Sequence, residues 1–270
     1  MEDLHILVNS CDAYSDLWKN HFDLFFKHWK GTRFPITLIT DKPTNIQLEG
    51  VDIVVVEDNS FAKRIHNICK NIKEKYVLVT LDDYYLIDDA NYEDFAKYLS
   101  LCEENNIDYL SIYNRRYTKK KQYTAIGNIK SIDLNNEYAI NLYPAIWKKD
   151  FLLFCSDFSG SPWEFEPNLT KSAKEYQANC FYNLHGSFNI LDVIRKGKLL
   201  RKARKYLKKN GYSLPNRENL PFRMELKQTI ADFIFWHMPK KIYNGIRKIA
   251  IAFGMKSYSQ KKNIDNGKRK

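Results

Sequence analysis

The chain has 270 residues, a formal net charge of +11, 44% hydrophobic and 14% aromatic residues. That length buries a full core in one large domain, or in one domain with an appendage, and the composition excludes extended disorder outside the last dozen residues. The charge asks for an anionic partner, and nucleic acid, a membrane surface and a phosphorylated substrate satisfy it equally well at this level. In chain order, Leu4 to Asn9 reads as a strand, and Ser15-Asp16 opens an amphipathic helix carrying Leu17, Trp18, Phe22, Phe25, Phe26 and Trp29 inward until Lys30-Gly31. Phe34 to Thr40 and Val51 to Val56 are two further strands, and Phe61 to Ile72 is a helix. Tyr76-Val77-Leu78-Val79-Thr80-Leu81 is a strand buried on both faces, the kind found in the middle of a parallel sheet. Asn91 caps a helix from Tyr92 to about Asn105, and Tyr109 to Ile112 is the next strand. This βαβ rhythm makes a doubly wound half of about 110 residues, with no G-x-G-x-x-G or Walker loop.

From Asn114 to Asn136 the pattern gives way to a polar, basic segment with Arg115-Arg116 and Lys119-Lys120-Lys121, read as a solvated loop. Tyr138 to Trp147 is apolar and broken by Pro144, and Lys149 to Ser156 is a short helix. Gly160-Ser161-Pro162-Trp163-Glu164-Phe165-Glu166 reads as a turn, with Asn168 capping a helix to about Ala178. Leu184-His185-Gly186-Ser187 is a turn, and Arg195-Lys196-Gly197-Lys198 leads into a basic helix from about Leu199 to Asn210. From about Phe222 the chain mixes Phe233, Ile234, Phe235, Trp236, Ile242, Tyr243, Ile246 and Phe253 with Lys240, Lys241, Arg247, Lys248 and Lys256. Apolar and aromatic residues interspersed with cations describe an interfacial element on anionic lipid, with a packed helical hairpin as the structural alternative. Gln260 to Lys270 is polar, basic and expected to be disordered.

Five cysteines (Cys11, Cys69, Cys102, Cys155, Cys180), an odd count without a C-x-x-C pair, argue against a disulfide framework and fit a reducing, cytosolic location. Met1-Glu2-Asp3 passes directly into the first strand without a signal-peptide pattern, and no run approaches the roughly 18 apolar residues of a membrane span. His/Cys spacing suited to zinc is absent from the sequence.

Two stretches carry chemistry. The central strand ends in Asp82-Asp83, and ligands of open α/β sheets sit at strand carboxyl ends, so these acids face a cleft; the alternative is a solvated turn. The second is Trp163-Glu164-Phe165-Glu166, two aromatics and two carboxylates together. Either the aromatics plug the core while a glutamate caps the following helix, or a carboxylate lies against an aromatic wall where desolvation raises its pKa and suits it to proton abstraction.

A strand ending in Leu81-Asp82-Asp83-Tyr84, followed by Ser161-Pro162-Trp163-Glu164-Phe165-Glu166, resembles bacterial GT-A-fold glycosyltransferases that build surface polysaccharides such as capsule and O-antigen. The resemblance covers about residues 4 to 200. It implies an α/β fold with a Rossmann-like nucleotide-sugar-binding half and a mixed central sheet. A glycosyltransferase domain would span 1–210, with a donor half at 1–113 and an acceptor half at 114–210, followed by a basic membrane-associating helical tail at 222–258 and a disordered 259–270. Implied donor contacts are Asn9, Ser10, Asp12, Thr40, Asp41, Arg64, Asp82, Asp83 and Tyr84. On the residues alone, His185 is either a turn residue or a phosphate or metal contact, and Lys196 and Lys198 are either the exposed end of a helical segment or the charges that neutralise a departing diphosphate. Glu164 or Glu166 would be the general base of an inverting transfer, Asp83 a further catalytic residue, and Trp163 and Phe165 the acceptor platform. Asp82 and Asp83 would hold magnesium or manganese, the cations suited to hard oxygen ligands and a diphosphate. The two acids depart from the D-x-D signature: consecutive side chains on extended backbone point apart, so one ion takes both only where the chain turns.

The implied partners are a nucleotide-sugar, a glycan or lipid-linked oligosaccharide acceptor and the anionic inner face of the cell membrane, where the protein would be peripheral. Two alternatives share the first half of this reading: a nucleotidyltransferase and a non-catalytic nucleotide-sugar binder. A nucleic-acid-binding protein would need basic residues interleaved with aromatics along a groove, or a recognisable module, so nucleic acid is not the expected partner.

Overall fold

The computed structural model describes residues 3–113, 129–136, 138–184, 188–226 and 230. The chain divides into two compact units, Met1–Asn219 and Leu220–Lys270. The first begins with β1 (Leu4–Asn9), α1 (Ser15–His28), β2 (Ile36–Thr40), β3 (Asp52–Val55), α2 (Phe61–Cys69), β4 (Tyr76–Leu81) and β5 (Tyr84–Leu86). It continues with α3 (Tyr92–Glu104), β6 (Tyr109–Ser111), β7 (Ile129–Ser131), β8 (Ala145–Lys148), α4 (Lys149–Ser156) and α5 (Pro162–Tyr176). It closes with β9 (Cys180–Asn183), β10 (Ile190–Asp192), β11 (Ile194–Arg195), β12 (Lys198–Leu199) and α6 (Arg201–Lys209).

Eight strands form one sheet in the order β3-β2-β1-β4-β8-β6-β9-β7. The first four are parallel, β8 runs antiparallel to both β4 and β6, and β6 pairs parallel with β9. The expected α/β class, a Rossmann-like half within a mixed central sheet, is therefore the architecture observed. Helices cover both faces because the inner strands are apolar on both. Trp18, Phe22 and Phe25 of α1 and Phe95 of α3 pack on Ile6, Val8 and Leu78. On the other face Phe61 and Ile65 of α2, Phe151 of α4 and Phe165 of α5 pack on Leu7, Val77 and Val79. Each such side chain taken out of water contributes about 1.5–3 kcal/mol, so both layers are held firmly enough to fix the strand ends.

The local signals work as their chemistry dictates. Ser60 Oγ accepts from Lys63 N at 3.2 Å at the start of α2, and the Asn91 side chain accepts from Glu93 N at 3.0 Å at the start of α3. Two expectations are corrected. The stretch from Pro162 to Glu166 is not a turn but the first turn of α5, in which Asn168 is an interior residue rather than a cap; Pro162 sits where a missing N–H costs nothing. Arg195 to Lys198 is not the end of a helix but a hairpin, β11–β12, turning through Lys196 (φ 54) and Gly197 (φ 73). Positive φ at both central residues is the demand that glycine meets without strain.

In the second unit Phe222, Met224 and Leu226 are exposed. The expectations for residues 231–258, for 259–270 and for the basic segment 114–128 lie outside the described residues. Among those described, no helix is long and apolar enough to cross a membrane.

Candidate active site

The carboxyl ends of β1, β2 and β4 lie side by side, with Asn9 level with Ile39 on one neighbour and Leu81 on the other. Polar groups gather there. Asn9 and Thr40 are buried, and neither the Asn9 amide nor the Thr40 hydroxyl has a hydrogen-bond partner among the described residues. The loops are tied together. Asp12 N donates to Asp41 Oδ1 at 2.6 Å, and Lys42 Nζ stands 3.5 Å from Asp12 Oδ2. Arg64, buried on α2, donates from Nη1 to Asp58 O at 2.9 Å and from Nη2 to Ser10 O at 3.4 Å, leaving Nε without a described partner.

At the end of β4 the chain turns through Asp82 and Asp83 before β5 leaves the main sheet to pair with β10. That turn removes the geometric objection to two consecutive acids, because neither is on extended strand. Asp82 is 5% exposed and accepts from the Ser10 hydroxyl, which in turn accepts from Trp18 Nε1 at 2.7 Å. Burial pushes its pKa up to about 7, against the opposing pull of these hydrogen bonds and of Arg217. Asp83 is half-buried, and its pKa is raised by burial first and then by the charges of Asp82 and Asp192. Asp83 Oδ1 has no hydrogen-bond partner among the described residues.

β10 supplies what stands beside Asp83. Asp192 is opposite Tyr84 across the β5–β10 ladder and pairs with Arg195 at 2.7 Å. Tyr84 stacks on Tyr143 with ring centres 5.4 Å apart, and Tyr143 on Tyr113 at 4.5 Å, a half-buried aromatic ladder from three separate segments. Glu166 is part of the same neighbourhood: burial raises its pKa, a Leu142 backbone group opposes the rise, and its charge is felt at Tyr84.

Glu164 closes a capping box: its Oε2 accepts from Ser161 N at 3.0 Å and from Ser161 Oγ at 3.1 Å, while Glu164 N meets Ser161 O. This is a helix-start role, and Glu166 is the other carboxylate of the segment, the one whose charge reaches Tyr84. Phe165 is fully buried against Phe61 and Phe158, so it cannot offer a face to an acceptor. The α5 helix sends adjacent residues in different directions, and Trp163 is 62% exposed. Lys196 and Lys198 border, with Ser15, Asp16 and Arg217, a cleft of about 580 Å³ at the start of α1, and Lys198 pairs with Glu218 at 2.6 Å. His185 lies outside the described residues.

Arg217 was not legible in the sequence. It stands 4.3 Å over the Tyr14 ring, donates to Asp16 at 2.9 Å from Nε and 2.6 Å from Nη2, and reaches Ala13 O at 2.6 Å. A single arginine in a Pro-Asn-Arg-Glu-Asn loop carries no local signal; its role arises from a contact made some 200 residues back along the chain.

The residues suit a divalent cation in one respect. Asp83 presents a buried, unpartnered carboxylate oxygen with Asp192 beside it, and magnesium is commonly held by one or two carboxylates together with substrate phosphates. Among the described residues, no set of three His, Cys, Asp or Glu gathers as a self-sufficient metal cage.

The fold is an open α/β sheet, and in such sheets ligands sit outside the carboxyl ends of the strands, the end at which these polar side chains gather. No family model matches the chain, and no curated protein matches its sequence. Among solved structures it is similar to S. aureus TarS 1-349 in complex with UDP-GlcNAc, at 14% identity and a TM-score of 0.47, covering 73% of this chain and 60% of that one. It is also similar to the mannosyltransferase PcManGT from Pyrobaculum calidifontis in complex with GDP-Man and Mn2+, at 10% identity and a TM-score of 0.47, covering 72% and 58%. A third is the bifunctional IspDF from Campylobacter jejuni, at 10% identity and a TM-score of 0.41, covering 80% and 55%. The chain spans less than two thirds of the length of each.

Proposed function

We propose that this chain is a glycosyltransferase that moves a hexosyl group from a nucleotide-sugar to a hydroxyl of a glycan acceptor, with inversion. The observation that carries the reading is the grouping of Asp83, Asp192, Tyr84 and Glu166 where β4 ends and β5 leaves the sheet. Nucleotide recognition falls to the adjoining loops, with the Asn9 amide, Thr40, Asp12 and Asp41 as the polar contacts. Asp83, with Asp192 or Asp82, would hold magnesium or manganese, which when bound neutralises the diphosphate. Arg64 and the cleft bordered by Lys196 and Lys198 add positive charge on the leaving-group side, where negative charge develops as the glycosidic bond breaks.

On the acceptor side, Glu166 takes the proton from the attacking hydroxyl. Its burial raises its basicity, and a base with a raised pKa serves best near neutral pH. The Tyr84–Tyr143–Tyr113 ladder supplies aromatic faces that pack on a sugar ring, a role assigned in sequence to Phe165. Trp163, exposed at the start of α5 and one helical turn from Glu166, is a second aromatic face for the acceptor. A lipid-linked oligosaccharide acceptor, surface-polysaccharide synthesis of the capsule or O-antigen kind, and a peripheral location on the inner membrane face belong to the same proposal, supported by the basic, aromatic-rich sequence of 222–258.

The test is single-turnover release of nucleoside diphosphate from UDP-, GDP- and dTDP-sugars, and of CMP from a CMP-sugar, each with and without oligosaccharide acceptors. Acceptor-dependent release supports the proposal. Release of pyrophosphate from a nucleoside triphosphate and a sugar phosphate would instead mark a nucleotidyltransferase, and binding without turnover a non-catalytic binder.

A further inference from the structure

The nine residues of α6 include six basic side chains and no acidic one. Ala203 and Leu207, one turn apart, are its buried line. With about 100° between successive residues, Arg201, Lys202, Lys205, Lys208 and Lys209 all fall on the opposite half, and all five are exposed. Arg204 lies at the flank and donates to Asn219 Oδ1 at 3.1 Å. No carboxylate among the described residues pairs with Lys202, Lys205, Lys208 or Lys209. Five like charges within three turns repel one another and are not balanced inside the helix. Successive members of the set, such as Arg201 and Lys205 or Lys205 and Lys209, stand about 6 Å apart along the helix axis, inside the Debye length of about 8 Å at physiological salt. A face of this kind gains free energy when it meets an extended negative surface.

We propose that the outer face of α6 is an electrostatic docking surface for a bilayer containing anionic phospholipid. Four of the five cations are lysines, compact point charges without the planar fork that reads bases or clamps single phosphates bidentately. No aromatic residue sits among them for stacking on nucleobases; Tyr206, the helix's one aromatic, lies toward its half-buried flank. An array of anionic headgroups needs neither device, since each lysine within a Debye length gains independently. The sequence beyond residue 222, which adds apolar and aromatic residues to further cations, has the composition of a lipid-interface segment. This inference does not depend on the sugar-transfer reading, because vesicle binding alone reads it.

The test is co-sedimentation of the full-length protein with vesicles of phosphatidylcholine alone and of phosphatidylcholine mixed with phosphatidylglycerol, across a salt series. Binding confined to the mixed vesicles and weakened by salt is expected. The triple variant Lys202→Glu/Lys205→Glu/Lys209→Glu should lose at least about tenfold in affinity, and the matching Lys→Arg variant should retain it. Should the glutamate variant fail to fold, the Lys→Gln triple variant serves, with an intermediate loss expected. Wild-type vesicle affinity in a folded Glu or Gln variant would overturn the proposal. So would tighter wild-type binding to a duplex oligonucleotide than to mixed vesicles at the same ionic strength, which would assign the face to nucleic acid.

Discussion

The Ser10 hydroxyl donates to Asp82 Oδ2 and so joins the loop after β1 to the turn after β4. Trp18 Nε1 holds the hydroxyl from behind at 2.7 Å, which fixes its direction. Because the carboxylate is buried, its pKa stands at about 7, above the 3.8 of an exposed aspartate. Between these values the unfolded chain has lost a proton that the folded chain keeps. Stability contributed by neutral Asp82 is therefore present below about pH 4 and declines as pH rises toward about 7, by up to about 1.4 kcal/mol per pH unit. Asp82→Asn should flatten that slope in urea unfolding between pH 4 and 7. A slope identical to wild type would show that Asp82 is ionised in the folded protein.

The two glutamates of α5 should separate cleanly. Glu164→Gln keeps the capping box, which accepts Gln as well as Glu, and should leave both stability and transfer near wild type. Glu164→Ala should cost about 1 kcal/mol of stability with activity retained in the folded fraction. Glu166→Gln should lower single-turnover transfer by about a hundred- to ten-thousandfold with donor affinity unchanged. Since Glu166 must be ionised to accept a proton and burial raises its pKa, the wild-type rate should climb with pH through a limb above the 4.5 of an exposed glutamate. Full activity in Glu166→Gln would remove the base from α5.

Phe165 and Trp163, adjacent in sequence, should behave oppositely. Phe165→Ala opens a cavity between Phe61 and Phe158 and should destabilise by about 3–5 kcal/mol. Trp163→Ala, on an exposed side chain, should change stability by less than about 0.5 kcal/mol and raise KM for the acceptor alone. Thermal unfolding and acceptor titration of both variants check this.

These two residues also show what the sequence could and could not convey. Long periodic elements declared themselves: α1 through Leu17, Trp18, Phe22 and Phe25, and α3 through its Asn91 cap. The end of β4 was legible because an apolar run stops at two carboxylates. Read from sequence, α5 begins at Asn168, about two turns late, because Gly160-Ser161-Pro162 reads as a turn; the Ser161-x-x-Glu164 spacing with Pro162 at the first helical position is the signal that marks the true start. β9 to β12 span two to four residues each, too few to express a period. The tyrosine ladder and Arg217 depend on chain segments that meet only after folding, so no local pattern announces them.

Arg217 should prove more than a surface charge. Its guanidinium stacks on Tyr14 and grips Asp16 with two nitrogens, while its charge restrains the pKa of Asp82. Arg217→Lys keeps the charge and loses the fork and the stacking plane, and should lower stability by about 1–3 kcal/mol. Arg217→Ala should in addition move the pH dependence attributed to Asp82 upward, because a favourable charge is gone. A melting temperature and a pH profile unchanged in both variants would contradict this.

If the end of β4 binds a nucleotide-sugar through Asp83, both the carboxylate and a divalent cation should be needed for that binding. Calorimetric titration of UDP-, GDP-, CMP- and dTDP-sugars into wild type and Asp83→Asn, with magnesium or manganese and again with chelator, tests it most directly. One nucleotide class should bind wild type, Asp83→Asn should weaken it at least about tenfold with the fold intact, and chelation should do the same to wild type. Failure of every nucleotide-sugar to bind, or equal affinity in wild type and Asp83→Asn, would contradict it.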